Sequence, residues 1–185
     1  MVEETVATGK KTPASAVSVP GFGHKPMLLS DIDSSVENRI SLNNVEVDRI
    51  LGGGMVEGSL VLIGGEPGIG KSTLSLQIPL YCPHLKTLYV TGEESARQVK
   101  LRAARIGGDD SDCLIYSETL MENIIAEARK IMPDLMVVDS VQTMFSQNVE
   151  SSPGSVTQIK ETAAMLPRFA KETGVPVILI GHITK

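Results

Sequence analysis

Residues 64–77 read GGEPGIGKSTLSLQ, and this stretch decides how the rest of the chain is read. Gly65, Glu66, Pro67, Gly68, Ile69, Gly70, Lys71 and Ser72 fit the pattern G-x-x-x-x-G-K-[ST]. Each position has a physical reason. The glycines let successive backbone N–H groups turn inward into an anion nest. A helix starting at Lys71 aims its positive dipole end at the same point. Lys71 adds a mobile cation for β- and γ-phosphates, and the Ser72 hydroxyl can ligate Mg²⁺. Thr73, the next hydroxyl, lies near the α-phosphate in loops of this kind. By chance alone the pattern would arise in roughly one such chain per hundred. Its position between an apolar run and an amphipathic run lowers that figure further.

Working outward, SLVLIGG at 59–65 is a continuous apolar run that fits a strand buried on both faces. A helix over 71 to about 80 comes next. Upstream, NRISLNNVEVDRILGGG at 38–54 holds a short strand around 40–42, an Asn cap and a helical turn stopped by Gly52, Gly53 and Gly54. Downstream the alternation repeats. Strands are expected at 86–92, 113–117, 135–140 and 175–181. Helices are expected at 95–107 (stopped by Gly107 and Gly108), 118–132 (halted at Pro133) and 155–174 (bent at Pro167, capped by Gly174). Strands separated by helices of this length imply an α/β fold with a mainly parallel sheet and helices on both faces. Residues 1–27, closed by PGFGHKP, read as a flexible arm or linker with something normally preceding it, and 28–185 as the ordered core.

Three further places carry chemistry. Asp139 ends the apolar strand LMVVD, and ligands of open α/β sheets lie beyond the carboxyl ends of the strands, so Asp139 can hold Mg²⁺ directly or through water. The bland alternative is an Asp that merely caps a loop. Glu93 and Glu94, in TGEES at 91–95, leave the end of another strand. A carboxylate there can polarise an attacking water, which is worth typically ~10²–10⁴-fold. Glu93 is the preferred base and Glu94 the second candidate; alternatively both only favour the next helix N-terminus. His182, in GHITK at 181–185, sits at the same sheet edge, where it could sense a γ-phosphate and pass that state to a neighbouring loop.

The chain has 185 residues, long enough for one α/β domain. Hydrophobic residues make up 42% while Trp is absent, so the core must be built from aliphatic side chains and Met. A net charge of −5 argues against coating nucleic acid through bulk positive charge, but leaves room for a local patch or an assembled ring. Cys82 and Cys113 form no CxxC pair, and a structural zinc needs about four ligands, so no zinc is expected in this chain. They read as reduced thiols of an intracellular protein. No apolar run nears the ~20 residues of a membrane span, and the N-terminus lacks a signal-peptide core. A cytoplasmic protein without membrane contact is expected.

Together, LNNVEVDRILGGGMVEGSLVLIGGEPGIGKSTL, VTGEES, LMVVDS, SSPGSVTQIKE and GHITK closely resemble the bacterial RadA/Sms DNA repair family over about residues 28–185. The resemblance implies a RecA-like P-loop ATPase core that forms hexameric rings. It implies binding to single-stranded or branched DNA, a place in recombination beside other recombination proteins, and helicase-like branch migration. Carried over, 65–73 binds ATP, Asp139 supports Mg²⁺ and Glu93 is the base. The 141–156 loop, VQTMFSQNVESSPGSV, would face a central channel, with Gln147 and Asn148 as DNA contacts. From the residues alone it is a long surface loop. The family also has an N-terminal four-cysteine zinc finger, a Lys-Asn-Arg-Phe-Gly motif and a Lon-protease-like domain, none of which is in this sequence. The chain thus reads as an ATPase core piece. Two other readings compete: a nucleotide-gated DNA-binding or assembly module with little hydrolysis, and a small-molecule phosphotransferase. The latter lacks an Arg-rich lid, and TGEES and SPGSV speak against it.

Overall fold

A computed structural model describes residues 28–31, 38–107 and 111–182. The expected arm at 1–27, the stop at Gly108 and the end of GHITK lie outside the described residues. After a 3₁₀ turn at Leu29–Asp31, the elements run β1 (Arg39–Ile40), α1 (Val45–Ile50), β2 (Met55–Val56), β3 (Leu60–Gly65), α2 (Lys71–Tyr81) and β4 (Thr87–Thr91). They continue with α3 (Ala96–Ile106), β5 (Cys113–Ser117), α4 (Met121–Ile131), β6 (Leu135–Asp139), α5 (Val156–Thr173) and β7 (Val177–His182). β1 and β2 form a small antiparallel pair, and the other five strands form one parallel sheet in the order β3-β7-β6-β4-β5.

Period-2 alternation divides the core. Tyr89, Leu135, Val137, Ile178 and Ile180 face one side with Leu76 and Ile78 of α2 and Val99 and Ala103 of α3. Leu88, Val90, Met136, Val138, Val177 and Leu179 face the other with Met121 and Ile124 of α4 and Leu166 and Phe169 of α5. Each fully buried aliphatic side chain contributes roughly 1.5–3 kcal/mol. Among the described residues, no helix is long and apolar enough to cross a membrane.

Several boundaries differ from expectation, each for a local reason. β3 is not buried on both faces: it is an edge strand and Leu62 is 60% exposed. A continuous apolar run cannot reveal which strand ends a sheet. α4 begins at Met121 rather than 118. The Glu118 carboxylate accepts from the amides of Thr119 and Leu120, and Leu120 pairs with Phe145, so these residues are held outside the helix. Those bonds, led by the Leu120 amide, draw the Glu118 carboxyl below its usual range. The short upstream strand ends at Ile40, and its two-residue partner β2 is too short to show a period in the sequence. α5 runs from Val156 to Thr173 without a break at Pro167. The expected Asn cap is Asn44, whose Oδ1 accepts from the Val47 amide at 3.1 Å.

Candidate nucleotide site

The site is assembled at the carboxyl edge of the sheet from two halves. The first is the loop between β3 and α2. Gly70 stands at the start of α2 in a left-handed conformation (φ 95°), and no side chain caps the helix there. α1, α3 and α5 are instead capped by their own Asn44, Ser95 and Ser155. The first-turn amides of α2 therefore remain donors for an external anion. Lys71 is buried, and its Nζ donates to Gly65 O at 2.9 Å and Glu66 O at 2.8 Å. The ammonium thus lies across its own loop. Ile69 and Thr73 are exposed.

The second half comes from the ends of β4, β6 and β7. Register pairs Thr91 with Asp139, which brings the two strand ends side by side. Asp139 is buried, and its Oδ1 accepts from Ser72 Oγ at 3.1 Å. This bond joins the halves. The Thr91 hydroxyl accepts from the amides of Glu93 and Glu94, which turns the chain sharply after β4. The turn sends the two glutamates in different directions. Glu93 Oε1 accepts from Ser140 Oγ at 2.8 Å and lies 3.6 Å from His182 Nε2. Glu94 lies back toward α3, with Oε2 2.9 Å from Arg102 Nη2, a charge pair without hydrogen-bond alignment.

Ser72 and Asp139 are hard oxygen donors already in contact. Among the described residues no cluster of three or more His, Cys, Asp and Glu could enclose a cation. That donor set suits Mg²⁺, which keeps its waters and takes phosphate oxygens, so Ser72 and Asp139 could hold it with a nucleotide present.

The sequence candidates for nucleotide and metal therefore sit on the loop, at the start of α2 or at neighbouring strand ends, although Glu94 parts company with Glu93. Asn148 is already engaged, because its amide donates to Glu122 Oε1 at 2.9 Å. Its loop is tightly built: the Gln158 amide donates to the carbonyls of Ser146, Val149 and Ser151. Sequence reasoning missed Tyr89, Ser140, Arg102 and Gln142. The Tyr89 hydroxyl donates to Asp139 Oδ2 at 2.6 Å, and Gln142 Nε2 donates to His182 O at 3.1 Å. Burial, and then the Asp139 carboxylate, push the Tyr89 phenol far above its ordinary range, so it stays an O–H donor. One signal was available for Tyr89: it is a polar-tipped aromatic between Leu88 and Val90, two residues before the threonine that pairs with Asp139.

Comparison with known proteins gives a consistent picture. The family model of the AAA domain matches residues 29–185. The DNA repair protein RadA of Streptococcus pneumoniae is 47% identical over 170 residues, covering 91% of this chain and 40% of the relative. RadA of Bacillus subtilis is 44% identical over 193 residues, covering 100% of this chain and 41% of the relative. RadA of Escherichia coli is 51% identical over 162 residues, covering 87% and 35%. The chain thus spans 35–41% of the length of these curated relatives. Among solved structures, a KaiC-like protein from the archaeon Pyrococcus horikoshii OT3 superposes with a TM-score of 0.66 at 23% identity, covering 80% of this chain and 72% of that one. That likeness concerns the fold, which is a RecA-like α/β core.

Proposed function

The chain belongs to the AAA domain family, on the branch of the bacterial RadA DNA repair proteins, and on that premise we propose that it binds ATP and hydrolyses it with Mg²⁺ in the service of DNA repair. The observation that carries this reading is the Ser72–Asp139 contact. It joins a phosphate loop to strand ends that also bear Glu93 and His182.

Each residue has a task in this reading. The open amides at the start of α2 receive phosphate oxygens, and Lys71 exchanges the carbonyls of Gly65 and Glu66 for β- and γ-phosphate oxygens. Thr73 lies toward the α-phosphate. Ser72 and Asp139 hold Mg²⁺, which when bound neutralises charge on the β- and γ-phosphates. Glu93, held by the Ser140 hydroxyl, orients the attacking water and accepts its proton, so that the phosphoryl group passes to water and ADP leaves. Glu94 supports this turn from the Arg102 side. His182, next to Glu93, responds to loss of the γ-phosphate. Its carbonyl is bonded by Gln142, which opens the 141–156 loop, so the response has a route into that loop.

At the level of the assembled protein, the reading extends to a hexameric ring on single-stranded or branched DNA, hydrolysis stimulated by DNA, helicase-like branch migration and recombination proteins as partners. The exposed Gln147 is the better DNA contact, since Asn148 is tied to Glu122. The test is ATP turnover with Mg²⁺, with and without single-stranded DNA, beside Lys71→Ala. Turnover that rises with DNA and is lost in the variant is the expected result. Binding of ATP without turnover would instead support a nucleotide-gated module. Equal, weak ATP binding by both proteins would sink the nucleotide reading.

A further inference from the structure

We propose that Tyr89 is a positioning residue for the metal-binding carboxylate: its hydroxyl holds Asp139 so that only Oδ1 is presented to Mg²⁺, and the Arg102–Glu94 pair anchors that hydroxyl from behind. The proposal rests on the nucleotide reading above and extends it to residues that touch neither nucleotide nor cation.

The two carboxylate oxygens of Asp139 have different partners. Oδ1 accepts from Ser72 Oγ at 3.1 Å and faces the phosphate loop. Oδ2 accepts from the Tyr89 hydroxyl at 2.6 Å. Tyr89 has no solvent exposure and Asp139 only 4%, so the bond between them is shielded from water. With one oxygen fixed on each side, the carboxylate cannot rotate about its own axis without breaking a charge-assisted hydrogen bond.

The placement of protons identifies the rear anchor. The phenol has one proton, and it goes to Asp139, which is acceptor-only when ionised. The phenol oxygen is then left to accept. Ser75 Oγ lies 3.3 Å away, but its single proton can instead go to Ser72 O at 3.1 Å. Arg102 Nη2, at 3.2 Å, carries two protons and can only donate, so it serves the phenol oxygen while Glu94 Oε2 lies 2.9 Å from that same nitrogen. A line of contacts therefore runs from α3 through Arg102 and Tyr89 to Asp139 and Ser72. Its far end, Glu94, is the glutamate that turns away from Glu93. Packing does not explain the hydroxyl: the ring belongs to the same buried apolar cluster as Leu76, Val99, Val137 and Ile178, which a phenylalanine would also join.

The experiment measures binding of a fluorescent N-methylanthraniloyl ATP to the whole chain, first in EDTA and then across a Mg²⁺ series. The proteins are wild type, Tyr89→Phe, Arg102→Gln and the double variant. In EDTA, the three variants should match wild type within about twofold, because the phosphate loop is untouched. The Mg²⁺ concentration for half-maximal tightening should rise roughly tenfold in Tyr89→Phe, the scale of one lost hydrogen bond to a charged group, and roughly threefold in Arg102→Gln. The double variant should resemble Tyr89→Phe alone, since both act through one bond. A half-maximal Mg²⁺ within about twofold of wild type in Tyr89→Phe, or a lower one, overturns the proposal even if the melting temperature falls. If Tyr89→Phe does not fold, an unchanged Mg²⁺ response in Arg102→Gln overturns it. Wild type that binds the probe without any Mg²⁺ effect would instead refute the metal site itself.

Discussion

The loop half and the strand-end half of the site are built on opposite principles. The loop half is contiguous in sequence, and its work falls mostly to backbone amides and one lysine. The strand-end half draws Tyr89, Glu93, Asp139, Ser140 and His182 from three strands and their exits, and its work falls to side chains holding other side chains. The glycines show the contrast. Gly68 has φ 81° with open space where a Cβ would stand, so its conformation alone calls for glycine. Gly92 is the reverse. A Cβ there would collide with the Thr143 side chain and come within 2.8 Å of Thr119 Cγ2, so close approach is the reason. The loop needs a special backbone path, whereas the strand-end edge needs its walls packed together.

This contrast can be broken at four points. The largest effect is expected at Glu93. Glu93→Gln should cut ATP turnover by ~10²–10⁴-fold while nucleotide affinity holds, by single-turnover kinetics beside a binding titration. A matching loss of affinity would mean that the strand-end half binds rather than catalyses. Next comes Lys71→Ala, which should weaken ATP affinity by ~10–100-fold, the scale of charge-assisted hydrogen bonds. If it lowers turnover with affinity unchanged, the division of labour is wrong. Gly92→Ala should cost ~1–3 kcal/mol through overpacking, a fall of ~2–4 °C in melting temperature per kcal/mol. Gly68→Ala should cost less, ~1–2 kcal/mol, because only the left-handed conformation resists it. Thermal melts of the pair that come out in reverse order would show that backbone strain outweighs crowding here.

The same contrast explains how much is legible in the sequence. The phosphate loop, the parallel sheet and its helices are readable because each rests on residues adjacent in the chain or on a repeating period. The placement of Asp139 and Glu93 at the carboxyl edge of the sheet is readable because each lies at or just past the end of a buried strand. Contacts set by strand register are not. Nothing local says that Thr91 pairs with Asp139, that Tyr89 thereby reaches the same carboxylate, or that Arg102, 13 residues further on, reaches back to that phenol. Edge position is equally silent, so the apolar run of β3 looks the same as that of a fully buried strand. The start of α4 is hidden for a smaller reason: Glu118 commits its carboxylate to the amides that a helix would have used.

β3 carries the phosphate loop at its end, yet among the described residues it pairs with β7 alone. In a parallel pair, successive amides of a strand point alternately toward the neighbour and away from it. Every second amide between Leu60 and Gly65 thus has no strand partner among the described residues, whereas β6 is flanked by β4 on one side and β7 on the other. Deuterium exchange would therefore run at two alternating rates along β3 and at one slow rate through the middle of β6. The floor beneath the nucleotide would breathe on one side only, and occupancy of the loop would be recorded in the faster set.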